Sequence, residues 1–256
     1  MRGVERLLRA TAKAEHRHFW FQGFRGFVIP LIERALEGCE EPRIVDCGCG
    51  TGANLEMLSD FGHACGFDLS PIGLSIGRAS GRFRLVRGSV SAAPFSSGTF
   101  DLVTSFDVLY ALEDRDERAA VAEMFRLARP GGYVLINVAA MNVLRGDHSV
   151  LSQEVRRYTR ADLRRLVAAA GFQIVRLTYT NFTLFLPLAA IRLAQRWRGL
   201  AAGDGEISVP RAPVNAILTG ILRLENLWIR RFNFPFGSSL VCLATKPVNQ
   251  PATDRT

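Results

Sequence analysis

The sequence is poor in lysine, in histidine and in unbroken apolar runs. Only two of its 32 basic residues are lysines, and the 256 residues include four histidines. No stretch reaches the roughly 18 consecutive apolar residues of a membrane-spanning helix, and the charged N-terminus lacks the apolar segment of a secretory signal. The five cysteines form no CxxC pair, and no histidine lies at a zinc-ligand spacing. The sequence therefore predicts no metal site and a reducing, cytoplasmic compartment.

The composition is that of a folded chain with a basic surface. Hydrophobic residues make up 48% of the sequence, enough for one large domain or one domain with an elaboration. The formal net charge of +8 comes almost entirely from arginine. Such a balance permits binding to phosphates, to nucleic acid or to an anionic membrane face, and no basic run is dense enough to choose among them.

A glycine-rich turn between two predicted strands is the most informative segment. Residues 44–52 read Ile-Val-Asp-Cys-Gly-Cys-Gly-Thr-Gly, and Asp68 follows sixteen residues after Gly52 at the end of a second apolar strand. Glycines let a backbone turn tightly and let a ligand approach within contact distance. In a doubly wound sheet, a carboxylate at the end of the second strand holds a ribose diol. The pattern predicts a nucleoside-bearing cofactor.

Strands and helices are predicted to alternate along the chain. Strands are expected at 43–47, 63–67, 83–87, 100–106, 133–138, 172–179 and 237–245, with helices at 1–14, 23–37, 51–60, from 71, at 113–128, at 159–171, at 182–197 and at 214–232. Ser70-Pro71 and the capping box Thr159-x-x-Asp162 mark two of the helix starts. This alternation favours a parallel sheet with helices on both faces.

Four segments follow from this pattern. We expect an N-terminal helical and aromatic cap at residues 1–40 and a core at 41–180 and 237–247. A helical insertion at 181–236, between the sixth and seventh strands, would form an acceptor site or a lid. A disordered tail is expected at 248–256.

The order of the motifs resembles the class I S-adenosylmethionine-dependent methyltransferases, close to the type 11 group. The series runs from Asp46-x-Gly48-x-Gly50-x-Gly52 through Asp68 to the segment 94–103 (PFSSGTFDLV) and then to Arg129-Pro-Gly-Gly. The match spans about residues 44–138. The resemblance implies an α/β, Rossmann-like, doubly wound sheet of seven strands with the last strand antiparallel. It also implies S-adenosylmethionine as co-substrate and in-line methyl transfer, without a metal.

The resemblance also implies roles for individual residues. Asp46 would accept a hydrogen bond from the methionine ammonium group, and Asp68 would hold the two ribose hydroxyls. Leu69 would pack on the adenine, and Phe106 would lie beside the methyl-bearing sulfur. The turn that passes against the ligand comprises Gly48, Cys49, Gly50 and Gly52. Ser89 and Val90 stand where the family often has Asp and a small residue facing the adenine amino group, so Ser89 is a departure.

The N-terminal aromatic segment resembles one that precedes the first strand in many type 11 proteins. The implied role is a flap over the cofactor that includes Trp20, with Arg25 near the methionine carboxylate. The alternative is that Phe19, Trp20 and Phe21 pack the helix on the sheet. The two roles are compatible.

The acceptor side is less defined. His148 is the first candidate for a general base, because histidine titrates near neutrality, with Asp107 and Tyr110 as second choices. A solvent-exposed loop position is the alternative for His148. Arg156 and Arg157 are candidates for holding a phosphate or sugar, or else form a solvated surface.

Other functions remain open at this stage. Gly48-x-Gly50-x-x-Ala53 also satisfies the fingerprint of nicotinamide-dependent oxidoreductases, but Asp46, Gly52 and the strand at 100–106 favour a methyltransferase. A non-catalytic S-adenosylmethionine-binding protein is a further alternative. The expected acceptor is a small molecule, a sugar or a lipid-linked compound, and nucleic acid is disfavoured because no base-flipping motif is present. The apolar segment at 182–191, followed by Arg and Trp, suits either a buried helix or peripheral contact with the inner face of a membrane.

Overall fold

The structure is a computed structural model that describes residues 8–9, 11–144, 154–197 and 209–248. Seven strands form one sheet in the order β3-β2-β1-β4-β5-β7-β6. They are β1 Arg43–Cys47, β2 His63–Asp68, β3 Leu85–Arg87, β4 Phe100–Phe106, β5 Ala128–Ala139, β6 Gln173–Thr180 and β7 Ser239–Thr245. All pairs are parallel except those that β7 makes with β5 and β6. The predicted doubly wound sheet with an antiparallel last strand is confirmed.

Seven helices accompany the sheet in the described residues: α1 Phe19–Ala35, α2 Ala53–Ser59, α3 Pro71–Ala79, α4 Asp114–Leu127, α5 Arg160–Ala169, α6 Phe182–Trp197 and α7 Ala212–Ile229. Residues 11–14 are also helical. Most of the helix predicted at 1–14 and of the tail predicted at 248–256 lies outside the described residues. In the described part of the chain, no helix combines the length and the hydropathy needed to cross a bilayer.

Local sequence signals explain where several helices begin. The Ser70 hydroxyl accepts a hydrogen bond from the Gly73 N–H at 3.2 Å, and Pro71 occupies the first turn of α3. The predicted capping box of α5 is present, with Thr159 and Asp162 bonding reciprocally. These caps satisfy N–H groups that have no partner inside the helix.

The N-terminal aromatic segment differs from the prediction. Helix α1 begins at Phe19 rather than at residue 23, because the His18 ring nitrogen caps it by accepting a hydrogen bond from the Trp20 N–H at 3.1 Å. The aromatic residues are therefore in the first turn of α1. This helix packs along α7, and its Phe19 N–H donates to the Asn215 side chain of α7 at 2.9 Å.

Alternate residues of the central strands pack in two different apolar clusters. Val45 and Val103 pack with Val121 and Met124 of α4. Ile44 and Leu102 pack in the other cluster, which includes Val28 and Ile32 of α1 together with residues of α2 and α3. Successive side chains of a strand point to opposite faces, so the central strands are covered on both sides. Polar groups at the carboxyl ends of β1, β2 and β4 consequently meet at one edge of the sheet.

Candidate active site

The turn after β1 is held against β2 by backbone hydrogen bonds. The N–H groups of Gly48 and Cys49 donate to the Phe67 carbonyl at 2.9 and 3.0 Å. Gly48, Gly50 and Gly52 have φ of +79°, +58° and +76°, a region that glycine adopts at little cost. A Cβ on Gly48 would lie 2.5 Å from the Val108 side chain, so the loop after β4 closes over the turn only because a glycine is there.

Asp46 is a buried carboxylate without a cationic neighbour among the described residues. Its side chain is 1% exposed, and Thr104 of β4 donates a hydroxyl hydrogen bond to Oδ1 at 2.7 Å. Burial raises the pKa of Asp46 to about 7, and the negative charge of Asp68 acts in the same direction, while the Thr104 hydrogen bond opposes them. A ligand ammonium group at this position would compensate the buried charge.

Asp68 ties the end of β2 to the glycine turn. Its Oδ2 accepts from the Gly50 N–H at 2.8 Å and its Oδ1 from the Ser70 N–H at 2.7 Å. A carboxylate oxygen has two lone pairs, so each can accept a further bond from a ribose hydroxyl. Leu69 follows directly and is 64% exposed, which leaves an apolar surface beside the carboxylate. These features suit a nucleoside.

The segment after β3 closes the adenine side of the predicted site. The Ser89 and Ser91 hydroxyls lie 2.9 Å apart, and the Gly88 N–H donates to the Asp68 carbonyl at 3.1 Å. Val90 is partly buried against the apolar cluster under α4. The segment is therefore fixed to the end of β2, although Ser89 lacks the carboxylate that the family often carries there.

Phe106 and the first turns of α1 lie beyond the end of β4. The Phe106 ring meets the Phe24 ring edge to face, with centroids 5.0 Å apart. Trp20 and Arg25 are both half-buried, and Arg25 forms no ion pair with another described residue. Contact between α1 and the end of β4 is consistent with both of the roles considered for the aromatic segment. The positions of Trp20 and Arg25 relative to a ligand remain a prediction.

A buried ion-pair network beneath the turn was not predicted from the sequence. Arg82 donates to Glu15 at 3.1 Å, to Glu56 at 2.7 Å and to the Thr51 carbonyl at 3.3 Å. The Thr51 hydroxyl lies 3.2 Å from the Glu15 carboxylate. Glu15 and Arg82 are 3% and 9% exposed. The network links the segment before α1 to the turn, and no sequence signal marks residues so far apart in the chain.

Asp107 lies at the carboxyl end of β4, on the predicted acceptor side. Its φ of +60° is uncommon for a residue other than glycine. Asn137 of β5 donates its side-chain amide to Asp107 Oδ1 at 2.9 Å, and the Asp107 N–H donates to the Asn137 carbonyl at 3.0 Å. Asp107 is an exposed residue, although the protein around it desolvates its carboxyl group in part. Desolvation, followed by the charge of Glu154, raises the pKa of Asp107 to about 7, against the opposing effects of Asn137 and Arg157.

Of the other candidates on the acceptor side, Arg156, Arg157 and Tyr110 have internal contacts, and His148 is not among the described residues. Arg156 binds Glu117 at 3.0 Å and the Leu112 carbonyl at 2.8 Å, and Arg157 binds Glu154 at 2.9 Å. The alternative of a solvated surface is therefore wrong for both arginines, because internal partners hold the guanidinium groups, whereas the phosphate or sugar site stays a prediction. Tyr110 is 8% exposed, and its carbonyl accepts from the Val155 N–H at 2.8 Å. His148 lies outside the described residues.

The cysteines of the turn do not offer a nucleophile. Cys47 and Cys49 are 1% and 7% exposed, and burial raises the pKa of both thiols. Among the described residues, no group of histidine, cysteine and carboxylate side chains could hold a metal ion.

These residues fit the ligand that the sequence resemblance implies. Asp46 offers a buried negative charge to an ammonium group, and Asp68 with Leu69 offers hydrogen-bond acceptors and an apolar surface to a nucleoside. Gly48 leaves room where a Cβ would collide with its neighbours. Asp46 favours a ligand with an ammonium group over a dinucleotide with two phosphates, because its carboxylate is buried next to the turn.

Comparisons with known proteins agree with this geometry. A family described as a methyltransferase domain matches residues 44–132. A probable S-adenosylmethionine-dependent methyltransferase of Mycolicibacterium smegmatis is 26% identical over 161 residues, which cover 61% of this chain and 60% of that protein. The ajmaline N-methyltransferase of Rauvolfia serpentina is 26% identical over 241 residues, which cover 84% and 81%.

The fold is also found in solved structures. A Thermotoga maritima protein described as a SAM-dependent methyltransferase, possible histamine N-methyltransferase, aligns with a TM-score of 0.59 at 18% identity, covering 95% of this chain and 99% of that one. Together with the strand order and the turn geometry, the family match identifies residues 44–132 as a methyltransferase domain.

Proposed function

We propose that this chain methylates a hydroxyl, or another protonated nucleophile, on a small-molecule, sugar or lipid-linked acceptor, with Asp107 as the general base. The observation that carries the proposal is the Asp107 carboxyl group itself. It reaches solvent at the carboxyl end of β4, and its pKa is raised to about 7. A base with a pKa near the working pH combines a substantial ionised fraction with useful proton affinity.

The cofactor half of the site is proposed to consist of Asp46, Asp68, Leu69 and the glycine turn. When bound, S-adenosylmethionine supplies a methyl group on a positively charged sulfur, which leaves as a neutral thioether. Asp46 would hold the ammonium group and Asp68 the ribose hydroxyls, so the methyl group is fixed relative to the end of β4. Such positioning is worth roughly 7–11 kcal/mol of the barrier in well-oriented reactions.

Asp107 and Asn137 are proposed to form the acceptor half. The Asn137 amide donates to Asp107 Oδ1 at 2.9 Å and thereby fixes the carboxylate, while Asp107 Oδ2 would take the proton of the acceptor. Asn137 is 3% exposed, and its Oδ1 has no hydrogen-bond partner among the described residues. As the acceptor oxygen bonds to the methyl carbon, the carbon–sulfur bond breaks, its electron pair stays on sulfur, and the proton moves to Asp107.

The unusual backbone of Asp107 supports the same proposal. Left-handed conformations of residues other than glycine cost roughly 1–3 kcal/mol and cluster at functional sites. Here the conformation allows the Asp107 N–H and carboxylate both to bond Asn137. The arrangement positions the carboxylate at the cost of backbone strain.

Transfer of a labelled methyl group to a panel of acceptors tests the proposal. The panel would contain a catechol, a nucleotide sugar, a polyprenyl-phosphate-linked sugar, a carboxylic acid, an amine and bulk tRNA. We expect a protonated acceptor to be methylated and Asp107→Asn to lower kcat by about 10²–10⁴-fold. With S-adenosylmethionine saturating, we also expect kcat/KM of the wild type for the acceptor to rise through pH 7, the pKa of Asp107, and to level off at about pH 8, where Asp107 is mostly ionised.

Two controls make this test specific. Asp116→Asn removes an exposed carboxylate of α4 and should leave the rate unchanged. Binding of S-adenosylhomocysteine should be the same for Asp107→Asn and wild type, because Asp107 is not assigned to the cofactor half. Full activity of Asp107→Asn with the best acceptor would refute the role of Asp107, whereas methylation of tRNA alone would refute the acceptor class.

A further inference from the structure

Helix α6 exposes an apolar stripe along its length. Six of its described residues that face solvent are apolar and follow one another at intervals of one or three positions, along one side of the helix: Leu186, Pro187, Ala190, Leu193, Ala194 and Trp197. Leu186, Leu193 and Trp197 are 63%, 58% and 96% exposed. Residues at this spacing share a helix face. Apart from Thr183 in the first turn, the exposed residues of α6 whose side chains the structure describes are therefore apolar.

Helix α7 and the three residues that follow it repeat the pattern. Their exposed large apolar residues are Val214, Ile217, Leu224, Leu227, Trp228 and Phe232. The opposite side of α7, with Leu222 and Ile229, is buried in the core. Helix α7 therefore has apolar residues both on the side packed in the core and on a side that faces solvent. We call the two exposed stripes together the α6–α7 apolar surface.

The two helices are joined at a fixed point. The carboxylate of Glu225, in α7, accepts hydrogen bonds from the Phe182 N–H at 2.8 Å and from the Thr183 N–H at 3.2 Å, and so caps the start of α6. The Phe182 ring also packs on Phe234 and Phe236, with centroids 4.9 and 4.5 Å away. The apolar stripes thus belong to an anchored helix pair.

The exposed charged side chains that the structure describes in α6, in α7 and directly beside α7 are of one sign. In the sequences of α6 and α7 the only acidic residue is Glu225, which is 3% exposed and occupied with the cap. Four arginines in and beside α7 are exposed: Arg211, Arg223, Arg230 and Arg231. An apolar face bordered by arginines is complementary to a surface that combines hydrocarbon with negative charge.

We infer that the α6–α7 apolar surface docks this chain on the face of an anionic lipid bilayer. Neither helix is suited to span a membrane, so the helices would lie in the interface with their apolar stripes among the lipids. Trp197 and Trp228 are amphipathic residues of the kind enriched at that depth. A second copy of the chain fits less well, because a two-fold interface would gather the arginines of both copies around one patch. The inference does not depend on the acceptor proposed above.

Co-sedimentation with vesicles tests the inference on the intact chain. We expect binding to vesicles of phosphatidylglycerol and phosphatidylcholine, little binding to phosphatidylcholine alone, and loss of binding at high salt. The double variant Leu224→Asp/Leu227→Asp should reduce partitioning by more than tenfold, because each leucine contributes about tenfold when buried. Arg223→Glu/Arg230→Glu should reduce it by at least about fivefold per arginine.

The matched control is Phe83→Asp, which replaces an apolar residue that is 81% exposed and lies outside α6 and α7. It should bind vesicles as wild type does, and all variants should bind S-adenosylhomocysteine normally, which shows that they are folded. Tryptophan emission of the wild type should shift to the blue on anionic vesicles. Absence of vesicle binding, an equal loss in Phe83→Asp, or a stable dimer dissociated by the double leucine variant would overturn the inference.

Discussion

Replacement of Asp46 by Asn should stabilise the ligand-free protein and weaken ligand binding at the same time. The carboxylate is buried, and its pKa rises from 3.8 to about 7 on folding. Each tenfold change in an acid constant corresponds to about 1.4 kcal/mol, so an ionised Asp46 costs the folded state about 4 kcal/mol above pH 7. Asn removes this cost but introduces an amide that needs partners. We therefore expect the free energy of unfolding at pH 8 to rise by about 1–4 kcal/mol.

The pH dependence of this difference has a defined sign. Because the folded-state pKa is raised, the contribution of Asp46 to stability is fully present below about pH 4 and is lost as the pH rises to about 7. The gain from Asp46→Asn should therefore be largest above pH 7 and vanish near pH 4. Urea unfolding of the ligand-free proteins across this range measures it, with Asp60→Asn, an exposed carboxylate, as the control.

Ligand binding should change in the opposite direction. A hydrogen bond to a charged group contributes about 1.5–3 kcal/mol, so Asp46→Asn should weaken S-adenosylhomocysteine binding at pH 8 by about 10–150-fold. In the wild type, binding at pH 6 should be about tenfold weaker than at pH 8, because Asp46 must lose a proton, and the variant should lack this dependence. A variant that is less stable at pH 8 and binds the ligand as wild type does would refute the reasoning.

Two further substitutions test the support of the turn. Gly48→Ala should lower the free energy of unfolding by about 2 kcal/mol or more and impair ligand binding, because the new Cβ would lie 2.5 Å from the Val108 side chain. Gly38→Ala is the control, because Gly38 has a similar φ of +75° but open space around it. In thermal unfolding it should show the cost of backbone strain alone. Arg82→Met should lower the free energy of unfolding by about 3–5 kcal/mol, because Glu15 stays buried without its partner. Glu56→Gln changes a half-exposed carboxylate and should lower it by less than about 1 kcal/mol. Urea titrations measure both values. Equal effects within either pair of variants would contradict the assignment.

The sequence was sufficient for the sheet and for placing Asp46 and Asp68 at one edge of it. Apolar strands, the glycine turn and the capping signals at Ser70 and Thr159 are local features, so the bounds of β1 and β4 were predicted correctly. Asp46 and Asp68 could be assigned to one edge because parallel strands place their carboxyl ends together. Local sequence patterns and the parallel topology are therefore enough to predict the strands, the glycine turn and the edge at which Asp46 and Asp68 lie.

The remaining features depend on contacts between distant segments. The start of α1 was placed four residues late because the cap is a histidine ring, which is not a usual capping group. The partners of Arg82, Arg156 and Arg157 are set by packing of separate elements, so spacing along the chain does not reveal whether an arginine is free or paired. The exposure of the apolar stripes of α6 and α7 likewise requires the packed structure.

Calorimetric titration with S-adenosylhomocysteine tests the central claim most directly. That claim is that the turn after β1, with Asp46 and Asp68, binds a sulfonium nucleoside. We expect saturable heat with wild type, none with NAD, and at least tenfold weaker binding by Asp68→Ala, which removes the acceptor of the ribose hydroxyls. Titrations without heat, or an Asp68→Ala variant with the affinity of wild type, would contradict the account.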